Sequence, residues 1–408
     1  MRYMISKTIS TYSRRWTIGA LVAAGMLWTA SVTQAQTTFD IYGFAMLDMG
    51  YQTTANDPAW FDVLRPTKLR SAPYDVDNFG ADGRFFAGVR QTRFGVKSNT
   101  PTERGDFKTQ FEFELFGTGV DAGQTTIRLR HAYGQLGQVG AGQTWSPFMD
   151  IDVFPNSIEY WGPNGMAFFR NVQVFWQPIS GQNRMTIALE RPGGSGDQGV
   201  VNEFIGGDLT ARFPLPDLSA EYRMGMSRGY VEAAGIVRRM NWDDDNPTNA
   251  NGDLTGEATG YGLSLSSNLK AGEKGTARLQ YVYGEGVQNY MNDAPVDVAA
   301  QTAGTTIEGV AVPMQGVVAF LDWQWNERWS SSVGYSRLDI DNTDLQAGTS
   351  FKVGQYALGN LLYYPVKNVM LGGEVQWGDR ENVNGFTSDD LRFQFSARYS
   401  FAMTSEGH

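Results

Sequence analysis

The chain has 408 residues, 43 acidic and 33 basic, with 48 glycines, 24 phenylalanines, 18 tyrosines, 11 tryptophans and no cysteine. Without cysteine there is neither a disulfide framework nor a thiolate metal centre, and with only His131 and His408 a histidine zinc site is excluded too. The acidic balance argues against a nucleic-acid partner.

Residues 1–35 begin with Arg2, Lys7, Arg14 and Arg15 and no acid, continue with an apolar run from Ile18 to Val32, and end on Thr33-Gln34-Ala35. That order predicts a secretory signal peptide cut before Gln36. The apolar run is shorter than the roughly 20 residues of a spanning helix. Its removal leaves 29 basic against 43 acidic residues, a net charge of −14, in one domain over 36–408.

From Phe39 the chain alternates with period two, the mark of strands with unlike faces. Phe107, Phe111, Phe113 and Leu115 oppose Lys108, Gln110, Glu112 and Glu114; Ile127, Leu129 and Tyr133 oppose Arg128 and Arg130. The clearest is the last, where Leu391, Phe393, Phe395, Ala397, Tyr399 and Phe401 oppose Arg392, Gln394, Ser396 and Arg398. Sixteen strands are predicted, at about 39–51, 85–98, 106–116, 125–136, 138–144, 168–176, 183–191, 217–225, 230–240, 257–268, 275–285, 313–325, 329–340, 352–364, 367–379 and 389–401. A seventeenth pattern at Phe204–Phe213 is short and flanked by Gly206-Gly207 and Pro214, and reads as loop. Short turns such as 136–138 and 365–368 alternate with long connections at 52–84, 192–216, 241–256, 286–312 and 380–388.

Strands of about ten residues, aromatics at the ends of apolar faces and the asymmetry of turns predict an all-β fold, a 16-stranded antiparallel transmembrane β-barrel with a lipid-facing apolar side and an aqueous lumen. The alternative is a secreted glycan-binding β-sandwich, soluble without detergent. Another is an outer-membrane barrel enzyme, a lipase or protease, for which His131 is the one credible base. No cofactor, metal cluster or catalytic residue is otherwise indicated. Asp243-Asp244-Asp245-Asn246 lacks the glycine and distal glutamate of a calcium loop and reads as a solvated acidic loop.

One connection differs from the rest. Loop 3, about 145–167, carries Pro147, Pro155 and Pro163, so no central strand crosses it. Trp145, Phe148, Tyr160 and Trp161 beside Asp150, Asp152 and Glu159 are not the composition of disorder, so it must pack on something.

Several motifs in order carry a family resemblance: Phe-Asp-Ile-Tyr-Gly-Phe at 39–44, Leu-Arg-Pro-Thr-Lys-Leu at 64–69, Thr-Arg-Phe-Gly-Val-Lys at 92–97, Arg-Leu-Arg-His-Ala-Tyr at 128–133, Gly-Gln-Thr-Trp-Ser-Pro-Phe at 142–148 and Phe-Pro-Asn-Ser-Ile-Glu-Tyr-Trp-Gly-Pro at 154–163. The chain resembles the DcaP-like porins within the trimeric porins of Gram-negative outer membranes. The resemblance implies a homotrimer in outer-membrane lipid, no enzymatic activity, an inward-folded loop 3, and passive diffusion of small hydrophilic solutes with anionic carboxylates such as dicarboxylic acids favoured. Carried over, it implies a basic column of Arg93 and Arg130 facing the loop acids Asp150, Asp152 and Glu159; Arg128 and Lys108 join by alternation. Arg65 and Lys68 in the first loop would contact anions at the mouth or, equally, latch a neighbouring subunit. His131, between Leu129 and Tyr133, takes the lipid-facing parity.

Overall fold

The computed structural model describes residues 36–73, 79–193, 209–245, 247–248 and 253–406. The segment 1–35, expected to be a signal peptide, lies outside the described residues. The chain runs up and down through β1 (Thr38–Gln52), β2 (Arg84–Gly88), β3 (Arg93–Thr100), β4 (Phe107–Phe116), β5 (Thr125–Leu136), β6 (Val139–Trp145) and β7 (Arg170–Ile179). It continues through β8 (Arg184–Glu190), β9 (Leu209–Arg212), β10 (Asp217–Met226), β11 (Gly229–Asp244), β12 (Gly256–Ala271) and β13 (Gly275–Glu285). A separate hairpin, β14 (Val298–Ala303) and β15 (Thr306–Ala311), precedes β16 (Pro313–Asn326), β17 (Trp329–Ile340), β18 (Phe351–Tyr363), β19 (Val369–Asn382) and β20 (Thr387–Glu406).

Two staves are split. β2 and β3 both pair with β1, and β9 and β10 both pair with β11, so the strands of the main sheet make a closed barrel of sixteen staves. Closure comes from β1 against β20, in register from Thr38 with Glu406 to Gln52 with Arg392. Outside, Val237, Leu263, Leu265, Tyr281, Phe393 and Phe395 are exposed, whereas the inward neighbours Arg238, Ser264, Ser266, Gln280, Gln394 and Ser396 are buried. A wall apolar on its outer face and polar within is built for lipid, and a closed barrel leaves no place for the sandwich reading.

The structure departs from the expected strands at four points. The strand expected at 85–98 is interrupted between Gly88 and Arg93, where the Thr92 hydroxyl takes the Met46 N–H at 3.2 Å in place of a ladder partner. Leu209–Arg212, expected as loop, is a strand that extends the β10 stave; Pro214 and Pro216 between them cannot donate into the ladder. The connection 286–312 holds the β14–β15 hairpin, and β20 continues past Phe401 to Glu406 along β1.

The lumen contains a core of its own. Phe148, Met149 and Phe169 of loop 3 pack with Val287, Tyr290 and Met291 of the β13–β14 connection against Met314, Leu338 and Phe351 of the wall. Leu64 and Leu69 of the first loop pack with Val153 and Met166 of loop 3 against Phe320, Tyr356 and Leu358. Three loops distant in sequence thus meet inside the barrel.

Candidate pore constriction

Loop 3 leaves β6 at Trp145 and returns to the wall at Arg170. Its prolines forbid a ladder, so its backbone donors need other acceptors. The inner wall supplies them. Asn156 N–H donates to Asp322 (3.2 Å), Ile158 N–H to Glu374 (3.0 Å), Gly165 N–H to Ser336 (2.9 Å) and Ala167 N–H to Gln280 (2.9 Å). These acceptors lie on β13, β16, β17 and β19, across the lumen from β6 and β7, so the loop crosses the interior.

The loop acids serve this docking. Asp150 is buried, caps the Asp152 N–H at 3.0 Å, and accepts from Arg223 (2.7 Å), Tyr230 (2.6 Å) and Ser266 (2.7 Å) on β10–β12. Asp152 takes the other branch of Arg223 at 2.5 Å. Glu159 is buried and accepts from the backbone of Leu64 (3.2 Å) and Gly162 and from the Tyr356 hydroxyl (3.5 Å). Burial pushes its carboxyl up to about 7.

Between loop 3 and the wall lies a cavity of about 260 Å³. Its wall side carries Arg93 (β3), Arg128 and Arg130 (β5), Arg170 (β7) and Arg398 (β20); its loop side carries Ile151, Phe154, Phe168 and Tyr160. Two carboxylates hold four of these arginines. Glu114 of β4 meets Arg130 at 2.7 Å, Arg93 at 3.1 Å, Arg128 at 3.8 Å and Arg170 at 4.0 Å. Glu112 meets Arg130 at 2.6 Å. Tyr160, stacked on Phe116 with centroids 3.9 Å apart, donates its hydroxyl to Glu114 and links loop 3 to the cluster.

A bulge aims this cluster. In the β4–β5 pairing Glu112 opposes His131 and Phe113 opposes Leu129, so Arg130 is an extra residue. Gln143 donates to the Leu129 and Arg130 carbonyls at 3.1 and 3.2 Å, satisfying backbone that the bulge frees. The insertion also resets parity. His131 lies opposite the inward Glu112, buried, with Nδ1 3.1 Å from the Thr144 hydroxyl, and is not on the lipid side.

The family model for the DcaP outer membrane protein matches residues 29–401. The chain belongs to the DcaP outer membrane protein family. It is therefore an outer-membrane porin, a multi-pass β-barrel channel and not an enzyme. The outer membrane channel DcaP of Acinetobacter baumannii superposes with a TM-score of 0.74 at 23% identity, over 92% of this chain and 99% of that one. An anion-selective porin from Comamonas acidovorans gives 0.57 at 11% identity (90% and 100%), and a loop-deletion mutant of OmpT from Vibrio cholerae gives 0.54 at 12% (90% and 99%). No curated protein matches the sequence.

For this DcaP-family chain the structure brings together Arg93, Arg128 and Arg130 of the expected basic column. Lys108 is exposed at the turn end of β4, four residues from Glu112, and does not line the cavity. Of the loop acids, Asp150 and Asp152 are drawn to Arg223 and do not line the cavity, whereas Glu159 borders it with the arginines while accepting from the backbone of the first loop. Arg65 is neither at the mouth nor on the outer surface. It is fully buried between the rings of Trp60 and Trp161, each 4.1 Å away, and paired with Asp293 at 2.8 Å. Lys68 lies over Trp60 at 5.9 Å, and burial lowers its pKa.

Arg170 and Arg398 escaped the sequence reading for different reasons. Arg170 shares the numerical parity of the outward Val172 and Val174, but as the first residue of β7 it still follows the loop. Arg398 is on the polar face of the last strand, and only barrel closure puts that strand beside β1 and the early basic strands.

Proposed function

We propose that the channel favours small anionic carboxylates, dicarboxylic acids among them. One observation carries this: five guanidinium groups border the cavity, while the carboxylates near them are three, Glu159 on the border and Glu112 and Glu114 paired to the arginines. The whole chain is acidic, yet the Debye length at 0.1 M salt is about 10 Å, so the charges lining the cavity outweigh the distant ones. The arginines run from β20 through β1 to β7, six strand spacings or roughly 30 Å of wall. Such an arc supports engagement of two carboxylates of one solute, with Phe154 and Phe168 facing its hydrocarbon body. The resemblance to trimeric porins supports a homotrimer as the assembly.

The test is the reversal potential of single channels in a potassium chloride gradient. Arg130→Gln removes one charge from the cavity border; a unit charge acting over about 8 Å is worth about 0.5–1 kcal/mol at effective dielectric constants of 40 to 80. The anion-to-cation permeability ratio is expected to fall about twofold to fivefold. Cation preference in the wild type, indifferent to this change, sinks the reading.

A further inference from the structure

A second cavity of about 250 Å³ lies on the other side of Ile151, a residue that borders both spaces. It is walled by β5–β8 and β10 toward the short-turn end, near residues 137–138 and 180–183. Its chemistry is unlike that of the arginine cavity. The two charged groups on its border, Arg184 and Glu221, neutralise each other at 2.8 Å. The remainder is amide, hydroxyl and aromatic, with Pro147, Met149 and Ile151 as its aliphatic part.

The amides are oriented by the protein. Gln173 is buried and its Nε2 donates to the Trp145 carbonyl at 2.8 Å and the Thr144 carbonyl at 3.3 Å. Gln135 Nε2 donates to the Gly137 carbonyl at 2.9 Å. A carbonyl accepts only, so each amide nitrogen is assigned by its partner and each amide oxygen points elsewhere. Among the described residues neither Gln173 Oε1 nor Gln135 Oε1 receives a hydrogen bond, and the Tyr133 hydroxyl has no partner either. The cavity thus offers two free acceptors and one hydroxyl beside the rings of Tyr133 and Phe175, whose centroids are 6.2 Å apart.

We propose that this cavity is a second solute station, selective for uncharged polyhydroxylated solutes of about one sugar ring. Free acceptors call for solute donors. An uncharged polyol brings several hydroxyl donors and an apolar ring face that suits Tyr133 and Phe175, without the desolvation cost of an ion in a site lacking net charge. A carboxylate brings acceptors to acceptors and is disfavoured. The station is independent of the anion reading, since no arginine of the first cavity takes part.

The probe is glucose, titrated onto single wild-type channels in planar bilayers. A saturable fall in conductance is expected, absent with permethylated glucose, which keeps the ring and loses every donor. Tyr133→Phe keeps the ring and deletes a hydroxyl that supports no other residue, so folding is preserved; the half-effect concentration is expected to rise about 2- to 10-fold, the worth of one neutral hydrogen bond. Gln135→Leu is the second variant, with a similar rise. The proposal is overturned if the fall is linear and tracks solution viscosity, if permethylated glucose saturates equally, or if both variants keep the wild-type half-effect. The ion gradient reads the first cavity and the sugar titration the second, so each fails on its own.

Discussion

Replacing Arg65 by methionine separates the barrel wall from what fills it. The guanidinium is fully buried, with Nε 2.9 Å and a terminal nitrogen 2.8 Å from Asp293 Oδ1, and a tryptophan ring on each face. Burial lowers its pKa, and the charge of Asp293 opposes that shift. Methionine leaves Asp293 buried with the Thr67 hydroxyl and N–H as its remaining partners. Orphaning one member of a buried pair costs about 3–5 kcal/mol, and loss of the two ring contacts adds about 1–2 kcal/mol. That loss falls on loop docking, because no paired strand of the wall lies within residues 53–83. The undocked fraction rises more than a hundredfold, and cleavage in the fast-reclosing regime tracks that fraction. Limited proteolysis of the folded channel in detergent is the assay: Arg65→Met is cut in 53–83 far faster than wild type, and Arg65→Met/Asp293→Leu recovers most of the resistance, since an apolar pair leaves no orphan. Wild-type cleavage rates in both Arg65→Met and Asp293→Leu refute the clamp.

Three further outcomes are expected. Glu114→Gln removes the carboxylate shared by four arginines, so the anion-to-cation permeability ratio should rise about twofold to fivefold while refolding yield falls; a lower ratio contradicts the cluster. Glu159 has its pKa raised from 4.5 to about 7, so its contribution to loop docking is whole below pH 4.5, declines as pH rises toward 7 and is flat above; channel noise should grow over that window, with Arg392, Glu374 and Tyr356 as its charged and titratable neighbours, and Glu159→Gln should abolish the trend. Phe148→Ala opens the luminal core where Phe148 meets Tyr290 edge to face at 6.1 Å, costing about 3–5 kcal/mol of loop docking and raising single-channel conductance.

What could be read from the residues followed from local geometry. Period-two alternation is set by the pleat, so β13 announced both its bounds and its two faces, and β20 its two faces. Three proline positions and an aromatic-acidic mix marked loop 3 as a packed crossing. Charge pairing was not legible, because Asp150 chooses Arg223 across a sequence gap of 73 residues and Arg65 chooses Asp293 across 228. Nor does alternation survive a bulge: the extra residue at Arg130 turned His131 inward against its numerical parity. Arg398 was visible as polar, yet its neighbourhood exists only after the last strand has met the first.

The luminal core has a bearing on assembly. The paired strands of the sixteen staves lie outside residues 53–83, 146–169 and 286–312, whereas the core needs all three. Wall contacts are mostly between neighbouring hairpins, and core contacts join segments about 100 to 230 residues apart, which are slower to find. The wall can therefore close without the passage being narrowed, and for any interval in which its loops are undocked the barrel is a wider hole than the mature one. Weak docking of a single loop prolongs that leaky interval in the life of the cell envelope without dislodging the protein from its membrane.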